Sequence, residues 1–295
     1  MYKIKFDNDV YDLPSTWNEL TKDQFLLIAG QSMSMTGFAA FRIKLALGCF
    51  GFRIIPRREE IVNGVRCFYL GAPEKKMYLV DVDELALVVE KLSWIFTHHE
   101  QSNEYVVNSR LTLNLLPAIK VGKQTWYGPM DALTNITFSE YIHAETAFYY
   151  LHKKRDESFI NRLIAVLYRP QIEKYDPESI DYRGDRREFF NDFLLDQRQQ
   201  KVVNVDPKVK QGILLWYTGC RAYLEHKFPE ALGSSGEGEK ASGDVFMNFM
   251  KMVNALTNND VTKNNELRSA YMYEVLITME ALAVQDRKMK ELYKK

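Results

Sequence analysis

Glu140-x-x-His143 sets a carboxylate and an imidazole one helical turn apart, and Glu145 follows close behind. Two such pairs, joined by two further glutamates, hold the metals of di-iron carboxylate bundles. Only one copy occurs in this chain, so the spacing favours a core or surface histidine over a ligand. Glu140, His143 and Glu145 are still the first residues to examine for a site that converges only in three dimensions. His98 and His99 are adjacent and point to different sides of any regular element, whereas metal-binding histidines on one helix stand three or four apart. They read as a solvated helix end. Nucleophile signatures are missing: there is no Gly-x-Ser-x-Gly, and Cys49, Cys67 and Cys220 stand far apart with no CxxC pair.

The glycine-rich run between Gly233 and Gly243 has a helix before it, not a buried strand, and Lys240 is followed by Ala241. A phosphate loop needs the strand and a Gly-Lys-Ser/Thr ending, so the run reads as a flexible linker. Arg183-Gly184-Asp185 spells an adhesion tripeptide, but Asp185 is placed to cap a helix. The basic clusters Lys153-Lys154-Arg155, Arg183/Arg186/Arg187 and Lys288, Lys290, Lys294, Lys295 read as solvated faces and mixed-charge loops. From the sequence we therefore assign no catalytic residue, no metal ligand and no cofactor.

Composition narrows the class further. Among the 295 residues, 39 basic side chains balance 39 acidic ones. Proteins that live on nucleic acid usually carry excess Lys and Arg, so the balance points away from that partner. Near-zero charge also gives weak colloidal repulsion, which suits a subunit that associates. The 17 Tyr, 17 Phe and 4 Trp supply large apolar area for a core or an interface. Three dispersed cysteines fit reduced cytosolic thiols. The longest uncharged run, Gln24 to Phe41, is too polar for a membrane span, and the N-terminus lacks a signal peptide's apolar stretch.

The elements that must position these residues predict an α+β fold, predominantly α-helical. Residues 1–130 form a mixed region of short strands and hairpins, and 131–295 a helical bundle with a flexible loop near 233–243. Strands are expected over residues 2–6, 10–13, 60–62, 65–70, 77–82, 118–121 and 124–127, with Asn63-Gly64 and Gly122-Lys123 turning two hairpins. Capping boxes at Thr21/Gln24 and Thr137/Glu140 open helices. Further helices are expected over 38–50, 83–97, 157–168, 185–200, 207–227, 244–256 and 265–292. Asp206-Pro207 starts one of them and Arg169-Pro170 ends another. The helix through Ile213-Leu-Leu-Trp-Tyr217 is apolar all round, as a buried helix must be.

The last helix carries the clearest functional signal. Leu267, Tyr271, Val275, Thr278, Leu282, Gln285, Met289 and Leu292 fall at spacings of four, four, three, four, three, four and three, a heptad-like seam with two polar breaks. Met272, Leu276, Met279 and Ala283 add a second apolar face. Such a two-sided helix, about 42 Å long at 1.5 Å per residue, needs two partners, which either packing within its own chain or contact with another subunit can supply. The interface candidates are thus Leu267, Tyr271, Val275, Leu282, Met289 and Leu292.

The segments from Leu13 to Phe25, Trp126 to Tyr141 and Leu167 to Pro170 resemble proteins of phage and prophage gene clusters that lie near virion and tail genes. They cover about a seventh of the chain. The resemblance implies a virion-structural or tail-assembly role and transfers no functional residues. The expectation is a non-enzymatic assembly protein that binds itself or other virion or tail components, not a membrane, located in the cytoplasm during assembly and in the virion if it remains there. Two alternatives stand beside it: an enzyme or a metal- or nucleotide-binding protein with a site formed only in space, and a DNA-processing accessory protein using Lys153–Arg155 and Arg183–Arg187.

Overall fold

The computed structural model describes residues 1–33, 38–100, 104–180, 182, 184–232 and 244–293. The fold is α+β and predominantly helical, with the strands and hairpins toward the N-terminus and helices toward the C-terminus. Strand pairing is antiparallel in every named pair. Two compact units are formed, Met1–Leu111 with Pro207–Leu215 and Thr112–Asp206 with Trp216–Lys295. The order of expected elements places the change at 130/131.

The first unit opens with a hairpin, β1 (Tyr2–Phe6) and β2 (Asp9–Leu13). Helix α1 (Lys22–Ser32) starts at the Thr21/Gln24 capping box, and α2 (Phe38–Phe50) follows. Strands β3 (Arg53–Val62), β4 (Val65–Gly71) and β5 (Met77–Asp81) form a sheet in that order. Asn63 and Gly64 both take positive φ at its first turn, the geometry Asn-Gly supplies readily. Phe6, Tyr11, Phe50, Phe52 and Tyr78 pack ring against ring with centroids 5.0 to 6.1 Å apart. Phe6, Phe50, Phe52 and Tyr78 are buried, Tyr11 half-buried, and burying a ring of this kind contributes about 1.5–3 kcal/mol by area alone.

A capping box between Asp81 and Glu84 opens α3 (Val82–Glu90). The helix expected over 83–97 ends there. Phe96–His99 is instead a strand, β6, paired with β7 (Glu104–Val107). Pairing along Phe96 and β-branched Thr97 overrides the helical spacing of Leu85 to Ile95, so His98 lies in a strand, not at a helix end.

In the second unit β8 (Ala118–Val121) and β9 (Gln124–Tyr127) form the expected hairpin. Helix α4 (Phe138–Lys154) begins at the Thr137/Glu140 capping box, and α5 (Ser158–Leu167) follows. Because the residue before proline avoids the helical region, Arg169–Pro170 runs extended as β10 and joins β9. Tyr168 is wholly buried, and a Cβ on Gly128 would come within 2.6 Å of its ring, so only glycine fits there. The helix expected over 185–200 is α6 (Leu195–Lys201) alone. Residues 185–188 run extended, because Arg187 bridges Gln171 and Glu188 N–H donates to Pro170 O.

Helix α7 (Pro207–Lys227) follows, then α8 (Pro229–Leu232) and α9 (Val245–Leu256), capped by Asp244. The single helix expected over 265–292 is two: α10 (Val261–Ser269) and α11 (Met272–Tyr293). Between them Phe138 N–H donates to Ala270 O and Met272 N–H to Ile136 O, so the chain passes the start of α4 as a short extended bridge. The linker expected at 233–243, Arg183, Lys294 and Lys295 lie outside the described residues. Cys49, Cys67 and Cys220 are free and buried. Among the described residues, no helix is long and apolar enough to cross a membrane.

Candidate functional site

The site is a groove of about 960 Å³ in the second unit, built over the first turn of α4. Its floor begins with the capping box. Thr137 N–H and hydroxyl donate to Glu140 Oε2, at 2.9 and 3.1 Å, and Glu140 N–H donates to Thr137 Oγ1. The other carboxylate oxygen, Oε1, accepts Arg169 Nη1 at 2.6 Å and lies 3.2 Å from Arg187 Nη1. Arg187 also forks onto Asp185, with Nε 2.9 Å from Oδ1 and Nη2 2.6 Å from Oδ2, and donates to Leu167 O and Asn135 O. Arg169 donates to Glu188 O and Val166 O. Two guanidiniums thus meet two carboxylates, with Glu140, Arg169 and Arg187 buried and Asp185 partly exposed in the groove wall.

The charge states follow from this arrangement. Burial pushes Glu140 up, but Arg169 and Arg187 outweigh it and hold the carboxyl below its ordinary value. Burial pulls Arg169 down to about 10, which leaves it charged at neutral pH. The cluster is therefore ionised but balanced. Arg187, grouped by sequence with solvated cations, is buried, and Arg186 lies over the rings of Tyr127 and Tyr175 at 4.0 and 4.8 Å. Neither is a surface cation. Sequence could not reveal this, because Glu140 is distant in the chain from both arginines. Asp185 serves Arg187, not a helix end.

The rim is different in kind. Phe189 and Phe193 line the groove with 73% and 92% of their surface exposed. Phe190, between them, turns inward and packs on His143, with centroids 5.4 Å apart. His143 also meets Phe246 at 5.2 Å. Its Nε2 lies 3.9 Å from Asp192 Oδ2, without a hydrogen bond. Burial brings the imidazole down to about 4, against the pull of Asp192, so it is neutral at pH 7.

Glu145, the third residue of the suspected set, lies elsewhere. It accepts Tyr217 Oη at 2.7 Å and Arg221 Nε at 2.8 Å, beside a smaller cavity of about 540 Å³. Glu140, His143 and Glu145 therefore have three separate sets of partners. Among the described residues no group of three or more His, Cys, Asp or Glu is placed to hold a metal.

The seam residues divide along their helices. Leu267 is half-buried in α10, Tyr271 lines the groove, and Val275 is buried. Leu282, Met289 and Leu292 are 49%, 44% and 68% exposed. Glu280 fixes α11 at mid-length by accepting the N–H groups of Glu230 and Ala231 at the start of α8, at 3.0 and 2.8 Å. Beyond it every described side chain of α11 is exposed or half-buried. Comparison with family models, curated proteins and solved structures finds no match to this chain.

Proposed function

We propose that this chain is a non-enzymatic assembly protein of the phage type, working as a virion or tail component or as an assembly factor through protein–protein contacts. The observation that carries the reading is the contrast within the groove. The buried ionic groups of its floor are already matched to one another, while two phenylalanines stand out in solvent at its edge. Exposed aromatics on a braced backbone are the groups that anchor protein partners, since they bury large area at low entropic cost. A groove meant for chemistry would keep a reactive group unpaired and reachable. The phage character rests on the resemblance of residues 13–25, 126–141 and 167–170 to proteins of phage gene clusters.

The test is co-expression with the products of the adjacent genes, followed by size-exclusion chromatography and native mass spectrometry. A defined complex that weakens at least about tenfold with Phe193→Ala is expected. A chain that stays monomeric, alone and with every neighbour, overturns the proposal.

A further inference from the structure

We propose that the cavity lined by α4, α7 and α9 binds a small aromatic carboxylate, its ring among Tyr149, Val245 and Phe249 and its acid group on Lys153. The site belongs to the second unit, shares no lining residue with the groove, and stands apart from the assembly reading.

The lining residues come together for a helical reason. Glu145, Phe148, Tyr149, His152 and Lys153 follow at spacings of three, one, three and one, so they share one face of α4. Val245 and Phe249, one turn apart, line the cavity from α9, and Arg221 lines it from α7. Small-molecule sites between helices have apolar and aromatic walls, a few placed polar groups and roughly 300–1,000 Å³ of space. The cavity has such walls and about 540 Å³.

Polarity is graded along α4. Glu145, at one end, is buried and its charge is answered within the protein, by Tyr217 Oη at 2.7 Å and Arg221 Nε at 2.8 Å. Arg221 is in turn shared with Glu225 at 3.2 Å, and its guanidinium covers the Phe148 ring at 4.5 Å. Lys153, at the other end, is exposed, and its ammonium bonds only to the Tyr149 hydroxyl, 3.2 Å away. Among the described residues no carboxylate pairs with it. Burial, and then Arg221, lowers the His152 imidazole from its ordinary value. At pH 7 it is therefore a neutral ring, packed edge-on to Phe148 at 4.5 Å, and adds no second charge.

What the cavity leaves unanswered is one cation beside half-buried rings. An aromatic body buries apolar area against Tyr149 and Phe249, and a single negative charge answers Lys153. The two ends of the cavity are about 12 Å apart along the helix at 1.5 Å per residue, so that charge need not approach Glu145. An ammonium on the same body would meet Lys153 and Arg221 as a like charge.

The test sets two probes of one shape and opposite charge, phenylpropionate and phenylpropylamine, against the full-length chain, by saturation-transfer NMR and titration calorimetry. Phenylpropionate is expected to bind about fivefold more tightly, the worth of one exposed ion pair. Lys153→Glu, an exposed substitution, is expected to reverse that order. Val245→Trp, which fills the space, is expected to weaken both probes at least about tenfold, with a circular dichroism melt to show that it folds; if it does not, Lys153→Glu decides alone. Equal affinity for the two probes overturns the inference, as does binding of neither at millimolar concentration. An order that survives Lys153→Glu, or binding unmoved in folded Val245→Trp, overturns it too. None of these results bears on the assembly reading, which the neighbouring gene products test separately.

Discussion

Glu140 and Glu145 stand little more than one turn apart on α4, both buried and both paired with arginine, and their carboxyls move in opposite directions. At Glu140 burial raises the carboxyl, but Arg169 and Arg187 together overcome it, and the net shift is downward. At Glu145 burial also leads, and the single guanidinium of Arg221 with the Tyr217 hydroxyl does not overcome it, so the net shift is upward. The cost of removing a carboxylate from water is similar at the two places; the number of cations facing it differs. One buried charge is locked in, and the other is held at a loss.

Breaking the stronger cluster is expected to have the largest effect. Arg187→Ala leaves Asp185 without its fork and Glu140 with one cation, and loss of one partner from a buried pair costs about 3–5 kcal/mol, readable by denaturant unfolding. Glu145→Gln keeps the shape and a hydrogen-bonding oxygen while removing charge, and is expected to cost less, about 1.5–3 kcal/mol. The pH dependence sharpens the contrast through its sign. Glu140, depressed on folding, contributes stability present above its ordinary 4.5 and lost as pH falls through its folded value. Glu145, raised on folding, contributes stability present below 4.5 and lost as pH rises through its folded value. Difference curves of unfolding free energy against pH, wild type minus Glu140→Gln and wild type minus Glu145→Gln, are therefore expected to slope oppositely. The smallest effect on folding belongs to the exposed tip: Leu292→Ala is expected to stay within about 0.5 kcal/mol, because its side chain contacts little of its own unit.

The same contrast explains which parts of the fold were legible beforehand. Thr21/Gln24 and Thr137/Glu140 form the capping boxes their spacing predicts, Asn63-Gly64 turns its hairpin, and Pro170 ends α5. Each depends on partners within a few residues. Legibility fails where distant partners decide. The helical periodicity from Leu267 to Leu292 continues across Ala270, yet the backbone there bonds to Ile136 and Phe138 and the helix breaks. Asp185 with Glu188 reads as a capping pair, yet Arg187 takes the carboxylate. The groove was invisible for the same reason: Glu140 was suspected for its spacing to His143, while its actual partners, Arg169 and Arg187, carried only the look of a loop and a basic cluster. Phe189 and Phe193 gave no signal at all, since exposure is not written in residue type.

The three buried cysteines give each unit its own clock. Burial pushes the Cys49 thiol up to about 12, and that of Cys220 upward as well, so neither presents appreciable thiolate to an alkylating reagent while its surroundings stay closed. Labelling must wait for an opening event. The rate at Cys49 then times the breathing of the first unit and the rate at Cys220 that of the second, with no probe added to either.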